Sequence, residues 1–354
     1  VSVAGGVSAA PRGTFGTDEA AELAVVERGG FIESRHAGSA IVLGPDGAVV
    51  ASHGSPAAPM LPRSSMKPFQ AIAVMTAGVA LDGASAALAT ASHAGTAAHV
   101  SLVRSLLARA NLDESSLACP ADLPLDGEAR TALLRSGEPA RPIYMTCSGK
   151  HAAMLLACAQ NGWPVEGYLE AQHPLQQQIR DVVERLTGEK VLATVPDGCG
   201  APVHAMTLTS LARGIQRIAT ASESSPFALY RNAAVLRRSV LENAWAIDGP
   251  GRVNTVVIEK LGVFAKWGAE GVMVASAPDG TTVALKMLDG ALRAATIVAL
   301  ALLSDAGALQ RTAVASVIPE LGLDVLGGAS VVGGIRPSYA RPSARARTTD
   351  NREA

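Results

Sequence analysis

Two segments of the chain place a nucleophile three residues ahead of a lysine: Ser64-Ser65-Met66-Lys67 and Cys147-Ser148-Gly149-Lys150. Each comes just before an apolar stretch with helical spacing. On a helix, residues i and i+3 share a face, with Cβ atoms about 5–6 Å apart. A lysine so placed takes the proton of a hydroxyl or thiol once burial or a second cation has lowered its own pKa. The first pair has the stronger setting. Pro62-Arg63 precede it, and Pro68-Phe69-Gln70 and the apolar run Ala71-Ile72-Ala73-Val74-Met75 follow, which are helix-start signals. Ser64 therefore falls at a helix N-terminus, where free N–H groups favour an alkoxide or anion, with Lys67 one turn on. Ser65 lacks the spacing. The structural alternative is an ordinary N-cap serine followed by a solvated lysine.

The second pair adds metal chemistry. Cys147 opens a helical stretch, and Cys199 sits in the tight turn Asp197-Gly198-Cys199-Gly200. Thiolates at a helix start or beside a lysine have lowered pKa values and bind zinc or attack electrophiles. Lys150 must lose its proton to act as a ligand, so such a site is pH-dependent. The plainer reading is a pair of packed or redox-sensitive thiols. Cys119 and Cys158 read as core. His93 and His151 flank motif residues, where a histidine is as often a structural hydrogen-bonder as a catalyst. Asp197 and Glu270 lie in glycine turns, and Lys286 on a strand reads as a solvated charge or the partner of an acid.

Composition limits what surrounds these residues. With 354 residues, 48% of them hydrophobic and 17% charged, the chain can bury a full globular core. A net charge of −1 gives no footprint for nucleic acid or an anionic membrane. The longest apolar run, Ala294 to Leu303, is half a membrane span. The first residues lack a signal-peptide pattern, and four cysteines are too few for a disulfide framework. The expected location is the cytoplasm. Segments 1–20 and 337–354, rich in small residues, Pro or Arg, read as disordered, leaving a catalytic domain over 21–336.

Strand signals cluster at the two ends. Ser39–Leu43 and Ala48–Ser52 flank Gly44-Pro45-Asp46-Gly47, and Val272–Ser276 and Thr282–Lys286 flank Ala277-Pro278-Asp279-Gly280. Both read as hairpins with Pro, Asp and Gly supplying the turns. Between them lie helical stretches at 67–79, 98–110, 149–160, 174–187, 203–219 and 226–242, with a final one from 290 to 303. The simplest packing is an α+β fold in which both terminal hairpins join one antiparallel sheet, with the helices as a layer and a lobe.

The chain resembles the rhizobial-type L-asparaginases, the asparaginase II family, over nearly all of 29–337. The matching segments are Glu33–Ser39, Pro62–Pro68, Ala91-Ser92-His93, Cys147–His151, Asp197–Pro202 and Lys266–Val272. This resemblance implies a serine β-lactamase/transpeptidase-like fold, a homodimer, and hydrolysis of L-asparagine to aspartate and ammonia. It implies two serine–lysine pairs, Ser64 with Lys67 and Ser92 with Lys266. It also implies a nearby zinc site on Cys147, Lys150 and Cys199. The chain departs from the family pattern in three places. Tyr144-Met145-Thr146 replaces a His-Asn-Asn run, Asn243-Ala244 replaces His-Pro, and Asn254 stands where an acid is expected.

Amide hydrolysis needs an activated nucleophile, an oxyanion site and a proton for departing ammonia. Ser64 with Lys67 supplies the first, through an acyl-enzyme. Ser92 and Lys266 relay a proton, or Ser92 takes over the attack. Two lysines together repel, which leaves one neutral amine near pH 7. Arg63 suits a forked contact to a substrate α-carboxylate, with Asp197 and Gly198 as further substrate-binding candidates. The chemistry requires no cofactor, so zinc would be modulatory. Two rivals remain. A β-lactamase or D,D-peptidase shares S-x-x-K, but the chain has no Ser-Asp-Asn and no Lys-Thr-Gly. A non-catalytic zinc or redox sensor needs only the cysteines.

Overall fold

The computed structural model describes residues 13–340. Its strands are β1 (Ala21–Arg28), β2 (Phe31–Leu43), β3 (Val49–His53), β4 (Pro59–Met60), β5 (Ala193–Pro196), β6 (Pro202–Thr207), β7 (Phe264–Gly268), β8 (Val272–Ser276), β9 (Thr282–Met287), β10 (Asp324–Gly327) and β11 (Ser330–Pro337). The α-helices are α1 (Lys67–Thr76), α2 (Gly83–Ala89), α3 (Ala97–Arg109), α4 (Gly127–Ser136), α5 (Ser148–Asn161), α6 (Pro174–Thr187), α7 (Leu208–Ala219), α8 (Ala228–Glu242), α9 (Val253–Leu261), α10 (Ala295–Asp305) and α11 (Arg311–Val317).

The main sheet runs β10-β11-β1-β2-β9-β8-β7, with β3 paired to β2. Every pairing in it is antiparallel, and the central contact of β2 with β9 (Ile41 opposite Ala284) joins the two ends of the chain. Every residue of β8 and β9 is buried, and α7 and α10 pack against these strands. That explains their unbroken apolar sequences, since a strand covered on both faces has no polar side to show. The fold is therefore α+β, with the sheet built from both chain ends and the helices between them.

Helix α1 is the hub of the helical lobe. Lys67 through Met75 are all buried, and the helix packs against α5, α6 and α8. A helix apolar on every side has no solvent face and must sit inside. Pro68 occupies its first turn, where a missing N–H costs nothing. A 3₁₀ turn, Arg63–Met66, leads into it and lies against β7. Gly268 permits this: a Cβ there would stand 2.5 Å from Pro62 O and 3.1 Å from Ser65 N. The turn carrying Ser64 is thereby pressed onto the strand carrying Lys266.

Two expectations change. The segment 203–219 is not one helix but β6 followed by α7, with Thr207 Oγ1 accepting from Ser210 N as the cap. Residues 13–20 are ordered, with Phe15 buried and a 3₁₀ turn at Thr17–Glu19, because a large apolar side chain anchors them. At the other end Pro337 completes β11, Ser338 N donates to Leu23 O, and Tyr339 is buried. The remainder of both segments lies outside the described residues.

Candidate active site

The middle of β7, the start of α1 and the loop after α2 bring Lys266, Lys67 and Ser92 into one buried cluster, each at 1% exposure. Lys67 Nζ donates to Ala91 O at 2.5 Å and to Ser92 Oγ at 2.9 Å. Lys266 Nζ lies 2.9 Å from the same Oγ, donates to Trp267 O at 2.8 Å, and sits 4.6 Å from the centre of the Trp267 ring. Ser92 N is fixed by Ile247 O. Burial first, and then the charge of Lys67, hold the Lys266 amine well below the ordinary lysine range. Ser92 Oγ is thus shared by two lysine amines, one of them lowered, an arrangement suited to passing a proton.

Ser64 lies in the 3₁₀ turn just before Lys67, the turn that packs on β7. Its carbonyl accepts from Lys67 N, and its side chain is half-buried. Among the described residues its hydroxyl makes no hydrogen bond. Lys67 therefore does not pair with Ser64 as the i, i+3 spacing suggests. Its amine finds a carbonyl and a hydroxyl on the 91–92 loop, and two acceptors satisfy a buried ammonium better than one. Ser65 points away, donating to Lys266 O at 3.2 Å.

Arg63 adopts φ +50°, and Glu270, in the turn between β7 and β8, adopts φ +61°. Left-handed backbone costs a residue with a Cβ about 1–2 kcal/mol. Arg63 Nε donates to Asp197 Oδ1 at 2.6 Å, while its Nη1 stands 3.7 Å from Glu270 Oε1. Burial would raise the Asp197 carboxyl, but Lys150, Arg63 and the Gly198 N–H outweigh it and hold it below the usual range. Arg63, Asp197 and Gly198 thus meet in one place beside Ser64. Lys286 is not a solvated charge. It is 7% exposed and donates to Glu270 O at 2.7 Å and Met287 O at 3.0 Å.

The second buried cluster is Cys147, Lys150 and Cys199. Lys150 Nζ lies 3.1 Å from Cys199 Sγ. A hydrogen bond with Cys147, together with Lys150, overcomes burial and brings the Cys199 thiol down to about 5. The same hydrogen bond, with burial, pushes Cys147 up to about 11. Burial opposes the Lys150 charge, yet the neighbouring thiolate holds its amine above the ordinary range. The group is thus a thiolate–ammonium pair. Among the described residues no cluster of three His, Cys, Asp or Glu side chains could hold a metal ion. The two thiols and one amine fit a soft cation such as zinc, provided Cys147 and Lys150 give up protons they hold firmly.

Some neighbours are structural. Ser148 Oγ donates to Ile143 O, leaving it to accept from His93 Nε2 at 2.9 Å, and His93 Nδ1 accepts from Gly95 N. Both nitrogens are satisfied, and burial keeps the ring neutral. His151 Nδ1 pairs with Tyr168 OH at 2.6 Å. Cys119 and Cys158 are buried, their thiols pushed up by burial. Asp248 is the residue the sequence did not announce. It is 2% exposed, and its carboxylate accepts from Arg252 Nε at 2.6 Å and Trp267 Nε1 at 3.3 Å. It holds the Trp267 ring over Lys266, and only its place three residues before Gly251-Arg252 hints at this.

The sequence matches the family model described as L-asparaginase II over residues 24–337. No curated protein matches it. Among solved structures it is similar to a β-lactamase from Mycobacterium bovis, at 18% identity and a TM-score of 0.42, covering 76% of this chain and 94% of that one. It is similar to a Bacillus glutaminase at 13% identity and a TM-score of 0.41, covering 77% and 91%. The native form of Mglu is 10% identical with a TM-score of 0.43, covering 76% and 64%.

Proposed function

The chain belongs to the L-asparaginase II family and is an amidohydrolase, and from that premise we propose that it converts L-asparagine to L-aspartate and ammonia through a serine acyl-enzyme. The observation that carries this reading is Ser92 Oγ held 2.9 Å from each of two buried lysine amines, one of them held well below the ordinary lysine range. Ser64, half-buried and without a hydrogen-bond partner among the described residues, attacks the carboxamide carbon. Its proton passes to Ser92 and on to the lysines, then to the departing nitrogen, which leaves as ammonia. Water follows the same path in reverse to hydrolyse the ester and release aspartate. Arg63, fixed by Asp197, orients the α-carboxylate.

Cys147, Lys150 and Cys199 would hold a zinc ion beside this site. When bound, the ion would add a fixed positive charge and staple α5 to the 197–200 turn. The residues of the relay need no metal for their part. The reading also includes a cytoplasmic homodimer, tested by fractionation and sedimentation. Among the described residues no helix is long and apolar enough to cross a membrane.

The test is ammonia release from L-asparagine, L-glutamine and a β-lactam panel. Turnover of asparagine above the others supports the reading. Turnover of β-lactams alone overturns it.

A further inference from the structure

Three residues with a side chain have left-handed backbone among those described: Arg63, Asn111 and Glu270. Asn111 follows the end of α3, and asparagine tolerates that conformation. Arg63 and Glu270 do not belong to that class of residue, and they face each other. Such strain, kept where glycine would relieve it, marks a position held for its side chain.

The two line a cavity of about 350 Å³ with Lys286, walled by Met60, Leu61 and Val195. The charges around it are already partly spent. Asp197 is bound to Arg63, and Lys286 gives its hydrogens to two carbonyls. The Glu270 carboxylate is different: it is 65% exposed, and among the described residues its one ion pair is the loose 3.7 Å approach of Arg63. Its place is nevertheless fixed. Lys286 holds its carbonyl, and a Cβ on Gly290 would lie 2.7 Å from Glu270 Oε2.

We propose that Glu270 is a specificity residue that binds the α-ammonium of the substrate while Arg63 takes the α-carboxylate. The substrate class is then a free, zwitterionic α-amino acid amide, and N-acylated or amine-free amides are excluded. The inference rests on the asparaginase reading above and adds the group that selects the free amine. An ammonium entering between Glu270 and the apolar wall meets a largely exposed carboxylate that Arg63 holds only loosely, and Arg63 receives the carboxylate of the same molecule. Charge matching of this kind makes an analogue lacking the amine leave Glu270 unpaired, which is a strong basis for rejection.

The experiment compares kcat/KM for L-asparagine with that for succinamic acid, the same amide without the α-amine, in the wild type and in Glu270→Gln and Glu270→Gly. The expected result is a loss on the order of 10–100-fold for asparagine and almost none for succinamic acid. Because each ratio is taken on one protein preparation, partial unfolding cancels. Glu270→Gly also relaxes the backbone, so its Tm is expected to hold or rise while discrimination is lost. Equal losses on both amides, or discrimination that survives in Glu270→Gly, overturns the inference and leaves the asparaginase reading standing. Absence of wild-type turnover on both amides overturns that reading, and this one with it.

Discussion

Two buried lysines in this molecule stand beside nucleophile-type side chains and end in opposite states. Lys266 faces Ser92 and a second lysine, and its amine is driven toward neutrality. Lys150 faces two thiols and Asp197, and its ammonium is reinforced. Burial disfavours the charge in both places, so the neighbours decide the outcome. The lesson is that an S-x-x-K or C-x-x-K spacing does not make a base. Burial, with a neighbouring cation behind it, lowers the Lys266 amine, whereas neighbouring thiols overcome burial and keep Lys150 charged.

The largest expected effect comes from Lys266 and its serine. Lys266→Ala and Ser92→Ala should each lower kcat by about 10²–10⁴, and the double variant should be hardly worse than either alone, because they act as a unit. Additive losses in folded protein would separate the two. Lys150→Ala, in contrast, should leave kcat much closer to wild type. A loss as deep as that of Lys266→Ala would erase the distinction between the clusters.

The pH profile sharpens the same contrast. Lys266 must be neutral to accept a proton, so kcat/KM rises as pH climbs through its lowered pKa, giving the acidic limb. Lys67→Met removes the repelling charge, returns Lys266 toward the ordinary range, and should move that limb to higher pH. A limb that stays in place would assign it to another group.

On the other side, Cys199 has a folded pKa of about 5 against 9.0 for a free thiol. Between those values the unfolded chain binds more protons. The stability the thiolate contributes is therefore complete above pH 9 and lost as pH falls through about 5. Tm measured across that window in metal-free protein should fall less steeply in Cys199→Ser than in the wild type. Parallel curves would show that the sulfur keeps its proton across that window, as a free thiol does.

The smallest effect concerns zinc. Metal-stripped enzyme, like Cys147→Ser and Cys199→Ser, should show a higher KM with kcat largely kept. Zinc that stays bound in both serine variants would place the ion elsewhere.

Much of this was legible in the chain because the signals were local. Gly44–Gly47 and Ala277–Gly280 announced both hairpins, and Pro62–Met75 announced the start of α1. The pairing of β2 with β9 followed from putting those hairpins together. Strands β1, β10 and β11 were not foreseen, since their alternation is interrupted by Gly and charged residues. The run Val203–Met206 reads equally as strand or helix by periodicity, and only Thr207 at the cap position divides it. At the site, residue types were visible but partners were not. Spacing joined Lys67 to Ser64, whereas the 91–92 loop, distant in sequence, captured its amine. Glycine turns mark the neighbourhoods of Asp248 and Glu270, but their partners, Trp267 and Arg63, are set by tertiary contacts that a single sequence does not show.

The most direct test is to trap the covalent intermediate. Enzyme quenched with acid during turnover of L-asparagine, then digested and analysed by mass spectrometry, should carry an aspartyl ester on the peptide containing Ser64. The adduct should vanish in Ser64→Ala. In Lys266→Ala, where the relay to water is broken, it should form slowly if at all. An ester on Ser92, or full turnover by Ser64→Ala, would contradict the assignment of attack to Ser64 and of proton transfer to the buried Ser92.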